Sequence, residues 1–141
     1  MGQSQSIKKV NFEDIQQTIT TNNKYLLINT LKIEEQKCLI KGTISPDKEI
    51  SVINSNLNNT NLRIIIYGKN AADETIYKKY NQLIKLGFYN IYLYPGGVFE
   101  WLLLQDIYGN DNFPTTSFEL DHLKYRAHSA FNYLLENGDI D

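Results

Sequence analysis

The run Arg63-Ile64-Ile65-Ile66-Tyr67, closed by Gly68, leaves the rest of the chain few choices. Apolar, mostly β-branched residues at both alternating positions suit a strand covered on both faces, the situation of a strand inside a parallel sheet. Such a strand needs helices above and below, and the neighbouring sequence supplies them. Asp73 to Leu86 has an amphipathic pattern that would bury Ile76, Tyr80, Leu83 and Leu86, and Gly87 is placed to end that helix through a left-handed cap. Tyr89 to Tyr94 predicts the next strand, Pro95-Gly96-Gly97 a tight turn, and Val98 to Tyr108 a further helix.

Upstream, Asn11 is a capping residue before a segment that sets Phe12, Ile15 and Ile19 on one helical face. Tyr25-Leu26-Leu27-Ile28 is a second continuously apolar strand, and Leu39 to Ile44 a weaker extended segment ended by Ser45-Pro46-Asp47. Downstream, Phe113-Pro114-Thr115-Thr116 marks a break. A last helix over Glu119 to Leu135 would dock through Leu120, Leu123, Ala127, Phe131 and Leu134. Strands alternating with helices predict an α/β domain with a parallel sheet covered on both faces. Ligands of such sheets bind beyond the carboxyl ends of the strands, which here means a crevice at Gly68–Asp73.

A length of 141 residues suits one domain. The net charge of −2, without any stripe of Lys or Arg, argues against nucleic acid as a partner. The single cysteine, Cys38, excludes an internal disulfide and multi-cysteine zinc sites. His122 and His128 are too far apart on a helix to share a metal, so neither a metal nor a cofactor is expected. The excess of Asn, Ile, Lys and Tyr follows AT-rich codons and records genome composition before function.

Several ordered passages together resemble the rhodanese-like family over roughly Val10 to Thr116. The most specific is Leu86-Gly-Phe-Tyr-Asn-Ile-Tyr-Leu-Tyr-Pro-Gly-Gly-Val-Phe-Glu-Trp101, which is similar to the family's glycine-phenylalanine, strand, glycine-glycine, tryptophan signature. Tyr25 to Asn29 resembles the first core strand, and Leu39-Ile40-Lys41-Gly42-Thr43-Ile44 the family's histidine-x-x-glycine-alanine-isoleucine passage. The resemblance implies a three-layer α/β/α domain at 10–116 around a parallel sheet of about five strands. A flexible N-terminus at 1–9 would precede it, and a helical extension at 117–141 would pack on it.

The departures bear on chemistry. Asn29 and Leu31 stand where the family strand ends in aspartate followed shortly by arginine, and Leu39 stands at the histidine position. Gly68 holds the place of the catalytic cysteine and Asp73 that of the closing arginine, so the loop Gly68-Lys69-Asn70-Ala71-Ala72-Asp73 is degenerate. The family reaction needs a thiolate that takes up a sulfane sulfur as a persulfide, held by loop N–H groups and a helix N-terminus. Gly68 cannot form it. The same losses exclude the related cysteine phosphatases.

The expectation is a non-catalytic module that binds a protein partner, or a second copy through the aromatic stretch Tyr125 to Tyr133. Within the loop, Asp73 or Asn70 would cap the exposed N–H groups and leave the pocket closed. The alternatives are a sulfurtransferase of altered chemistry, using Cys38 or an anion nest at Gly68–Asp73 with Lys69, and a structural component of a viral or cellular assembly. Cys38 lies in an apolar passage without a basic neighbour, where a free cysteine is usually a small hydrophobe.

Met1-Gly2-Gln3-Ser4-Gln5-Ser6 matches the N-myristoylation pattern at Gly2, and no apolar leader or membrane-length run is present. The expected location is the cytoplasm, with reversible membrane association through one acyl chain, since a single myristate binds weakly. Intact-mass analysis of the protein from its native cell is expected to show a myristoyl adduct on Gly2; an unmodified N-terminus would exclude lipid anchoring.

Overall fold

The structure is a computed structural model and describes residues 6–21 and 25–131. Gly2, Leu134 and the end of the expected C-terminal helix lie outside the described residues.

Among the described residues, four parallel strands form one sheet in the order β1-β4-β3-β2: β1 Lys8–Lys9, β2 Tyr25–Asn29, β3 Arg63–Tyr67 and β4 Ile91–Tyr94. Side chains alternate across it. Leu27, Ile65, Tyr67 and Tyr94 face one layer, while Ile28, Ile64, Ile66, Ile91 and Leu93 face the other. Helices α1 (Phe12–Thr20) and α4 (Gly97–Tyr108) cover the first face through Ile15, Val98, Trp101 and Leu102. Helices α2 (Pro46–Ser55) and α3 (Thr75–Lys85) cover the second through Ile53, Ile76 and Leu83. The result is the three-layer α/β/α arrangement expected from the alternation of elements.

Local chemistry sets the element ends. Asn11 and Asp14 close a reciprocal cap on α1, with Asp14 N–H donating to Asn11 Oδ1 at 3.1 Å and Asn11 N–H to Asp14 Oδ2 at 3.0 Å. Gly87, at φ 103°, ends α3 in a left-handed turn, with Phe88 N–H reaching Leu83 O at 3.1 Å.

Four expectations need correction. The sheet of the described residues has four strands: Leu39–Ile44 makes only isolated bridges, Thr43 to Leu27 within the sheet and Ile40 to Thr115 outside it. Tyr67 Oη holds that segment instead, accepting from Ile40 N–H at 3.1 Å and bonding Thr43 Oγ1 at 2.6 Å. Lys8 and Lys9, expected in a flexible N-terminus, pair with the open edge of β4, and the Lys8 ammonium sits 5.4 Å from the centre of the Tyr92 ring. Ser45-Pro46-Asp47 does end the extended segment, and Pro46 there opens helix α2 in its first turn. Leu86 lies past the turn that buries Leu83 and is half exposed.

Finally, residues 119–129 do not form an α-helix. Only a short 3₁₀ turn, His122–Tyr125, interrupts them, and helical conformation begins at Ala130. Leu120, Leu123, Ala127 and Phe131 are exposed, and Tyr125 is the residue buried in the core. Long-range hydrogen bonds override the helical spacing here. Thr116 N–H donates to Leu39 O at 2.8 Å, Lys41 N–H to Pro114 O at 3.0 Å, and Trp101 Nε1 to Pro114 O at 3.1 Å. Of the aromatic stretch Tyr125 to Tyr133, Tyr125 is buried within its own chain, Phe131 is exposed and Tyr133 lies outside the described residues.

Gly97 locks α4 against the loop after β3. Val98 N–H donates to Gly68 O at 3.0 Å and Phe99 N–H to Lys69 O at 2.9 Å. Gly97 has φ 68°, and a Cβ there would come within 2.6 Å of Gly68 O. Gly97→Ala therefore combines left-handed strain with a backbone clash and is expected to lose about 2 kcal/mol or more in urea unfolding. Gly42→Ala, with positive φ but open space, is expected to lose less. Equal losses would contradict the close-approach reading.

Candidate functional site

Strand β3 delivers Gly68 to the carboxyl edge of the sheet, and the loop to α3 turns back on itself there. Asp73 is the centre of that turn. Its Oδ2 accepts from Lys69 N–H at 2.8 Å, and its Oδ1 accepts from Thr75 N–H at 3.0 Å and Thr75 Oγ1 at 2.6 Å. Asn70 does the same on a smaller scale. Its Oδ1 accepts from Ala72 N–H at 2.9 Å, while its Nδ2 donates to Tyr125 O at 2.9 Å and ties the loop to the C-terminal extension.

The carboxylate also fills space. A Cβ built on Gly68 would lie 2.5 Å from Asp73 Oδ2 and 2.9 Å from Thr30 Oγ1. The volume a residue-68 side chain would enter is thus held by the chain's own anion. Burial alone would raise the Asp73 pKa. Hydrogen bonds from the Thr75 hydroxyl and from Lys69 and Thr75 N–H, with the nearby Lys69 charge, outweigh it and hold the carboxyl below its ordinary value.

Around this plug, a crevice of about 360 Å³ opens at the ends of β2 and β3. Lys69 does not project freely into it, because its ammonium is paired with Glu35 Oε2 at 2.7 Å. Burial opposes ionisation of Glu35, but the hydrogen bond and charge of Lys69, together with Lys32 N–H and charge, keep its pKa low. The turn carrying Glu35 is held by a reciprocal amide pair. Gln36 Nε2 donates to Asn29 Oδ1 at 2.7 Å and Asn29 Nδ2 to Gln36 Oε1 at 3.0 Å, while Leu31 N–H also reaches Asn29 Oδ1 at 3.0 Å. Leu31 itself is core. On the other side, the extension brings Lys124, Arg126 and His128 to the crevice.

The loop residues Gly68, Lys69, Asn70, Ala71, Ala72 and Asp73 stay together, and Ala71 is exposed. Cys38 is elsewhere. Its thiol is buried at 2% exposure and donates to Ser117 O at 3.4 Å, and burial pushes its pKa up. That environment suppresses the thiolate. Leu39 is likewise core. His122 lies in the 3₁₀ turn and His128 at the crevice, on no common helix. Sequence reasoning missed Thr30, Glu35, Gln36, Lys124, Arg126 and Thr75. Only Glu35, opposite in charge to Lys69, left any signal, and sequence distance hid it.

No family model and no curated protein sequence matches this chain. Solved structures do. The rhodanese-like domain of the Alr3790 protein from Anabaena sp. superposes with a TM-score of 0.58 at 16% identity, covering 89% of this chain and 87% of that one. The single-domain sulfurtransferase RDL2 of Saccharomyces cerevisiae gives 0.56 at 18% identity, covering 80% of this chain and 100% of its own. Ygr203w, described as a yeast protein tyrosine phosphatase of the rhodanese family, gives 0.58 at 12% identity over 88% and 100%. The fold is rhodanese-like.

Asp73→Asn replaces an anion with an amide that presents a donor as well as an acceptor to the same N–H groups. It is expected to cost about 1 kcal/mol at neutral pH, toward the low end because the carboxyl is partly solvated. Because the folded pKa is depressed, the Asp73 contribution is full above the ordinary value of 3.8 and fades as pH falls through the lower folded value. Urea unfolding should therefore show the difference between wild type and Asp73→Asn shrinking below that pH. A difference constant with pH would refute it.

Proposed function

We propose that this chain is a non-catalytic rhodanese-fold module whose work is to bind a protein partner. One observation carries the reading: the Asp73 carboxylate accepts the Lys69 N–H and lies 2.5 Å from where a Cβ on residue 68 would sit, the place at which the family's reaction needs a thiolate. The loop lacks a nucleophile, and an incoming anionic donor would meet a carboxylate in a half-enclosed site. Like charges at contact distance in such surroundings repel strongly. Cys38 offers no substitute, being enclosed and away from the crevice lining.

The binding half of the proposal is supported by the extension. It is pinned by Asn70 to Tyr125 O and by Ser117 Oγ to Lys37 O at 2.9 Å, yet it leaves Phe118, Leu120, Leu123 and Phe131 between 57% and 80% exposed. A contiguous patch of such apolar side chains is what marks an interaction surface. Lipid attachment at Gly2 remains part of the proposal as a means of placing the module at a membrane surface.

The test is sulfur transfer from thiosulfate to cyanide, followed by intact-mass analysis of the protein. Wild type is expected to show no turnover and no added sulfur atom, with Cys38 alkylated only after denaturation. Gly68→Cys combined with Asp73→Ala, which empties the plug, is expected to take up one sulfur at residue 68. Turnover by wild type, or a persulfide on Cys38, would overturn the proposal.

A further inference from the structure

The crevice presents more positive charge than its own carboxylates neutralise. Lys69 is paired with Glu35, and Lys124 with Glu119. Lys32 and Arg126 line the same crevice, and among the described residues neither forms an ion pair with a carboxylate. Arg126 donates from Nη1 to Leu123 O at 2.8 Å, and among the described residues no other acceptor takes the rest of its planar fork. At the floor, the polarity reverses: Asp73 already occupies the loop. An anionic group would be attracted to the rim and repelled from the bottom.

A second crevice of about 330 Å³ adjoins the first, sharing Thr30, Leu31 and Thr75 as the dividing wall. Lys78 stands in it, and Ile33, 87% exposed, projects at its edge. The first crevice is lined by Lys32 and Arg126 and the second by Lys78 and the exposed apolar Ile33, with Thr30, Leu31 and Thr75 common to both. Each crevice is larger than a tetrahedral oxyanion needs. Cations in both crevices, with an exposed apolar side chain in one, suit an extended chain with carboxylates flanking an apolar residue, in which Arg can grip a carboxylate through two parallel hydrogen bonds.

We propose that these adjoining crevices form a docking site for an acidic peptide segment of a partner protein, bound across the closed loop by Lys32, Arg126 and Lys78. The proposal rests on the non-catalytic reading above and names the partner's chemistry. Its failure would leave the sulfur-transfer result standing, so the two can fall separately.

The experiment is a titration of the full ¹⁵N-labelled chain, followed by amide shifts, with a synthetic peptide of alternating Glu and Leu. A Lys-Leu peptide of equal length and inorganic phosphate are the other arms. The Glu-Leu peptide is expected to give saturable shifts confined to residues 30–36, 69–79 and 123–128. The Lys-Leu peptide should give none, and phosphate only weak, unsaturated ones. Lys32→Gln combined with Arg126→Gln is expected to weaken binding by about 10-fold or more. Lys8→Gln combined with Lys9→Gln, on the far edge of the sheet, should leave it unchanged. Three results would each overturn the proposal: no saturable shifts with the Glu-Leu peptide, equal binding by the Lys32/Arg126 variant, or phosphate saturating the site while the peptide does not.

Discussion

The contact between the Asp73 carboxylate and the Lys69 N–H is the constraint on which the character of this molecule depends. A loop that curls its N–H groups inward at the head of a helix is an anion receptor by geometry. In this chain, the receptor has its anion built in. Asp73 takes the Lys69 and Thr75 N–H groups and the Thr75 hydroxyl, and Asn70 takes that of Ala72. Gly68 is the residue that allows it, since a side chain there would collide with the same carboxylate. The bare Cα at residue 68 and the carboxylate that fills the space beside it are therefore two faces of one arrangement.

The rest of the fold serves to hold that loop. Parallel strands β2, β3 and β4 end together, which sets Thr30, Gly68 and the turn before α4 side by side. Gly97 lets two N–H groups of α4 reach the loop carbonyls, Thr30 Oγ1 bonds Thr75 Oγ1 at 2.7 Å, and Asn70 hooks the extension through Tyr125. Among the described residues, no buried side-chain nitrogen or oxygen is left without a partner. The loop is thus tied from three sides.

Much of the scaffold was legible because its signals are local. Continuous apolar runs marked β2 and β3, the Asn11 cap marked α1, and Gly87 marked the end of α3. Helix α2 was not, since of its ten residues only Ile53 and the Lys79-paired Glu49 are buried, too few for a periodic stripe. The extension misled for the opposite reason. Leu120, Leu123, Ala127 and Phe131 keep helical spacing, but bonds from residues 113–117 to 37–41 fix the path and leave those side chains in solvent. At the site, Asp73 as an internal cap could be foreseen from its place before α3. The rim could not, because Glu35, Gln36 and Arg126 reach it from segments whose proximity is set only by tertiary structure.

The most direct measurement of the central claim is an NMR pH titration that follows the Asp73 carboxyl carbon and the Lys69 amide nitrogen together. The account predicts that both move with one shared midpoint, below the ordinary 3.8 of an aspartate, because one proton breaks one hydrogen bond. An Asp73 midpoint at or above that value, or a Lys69 amide that does not follow it, would show that the carboxylate does not fill the loop.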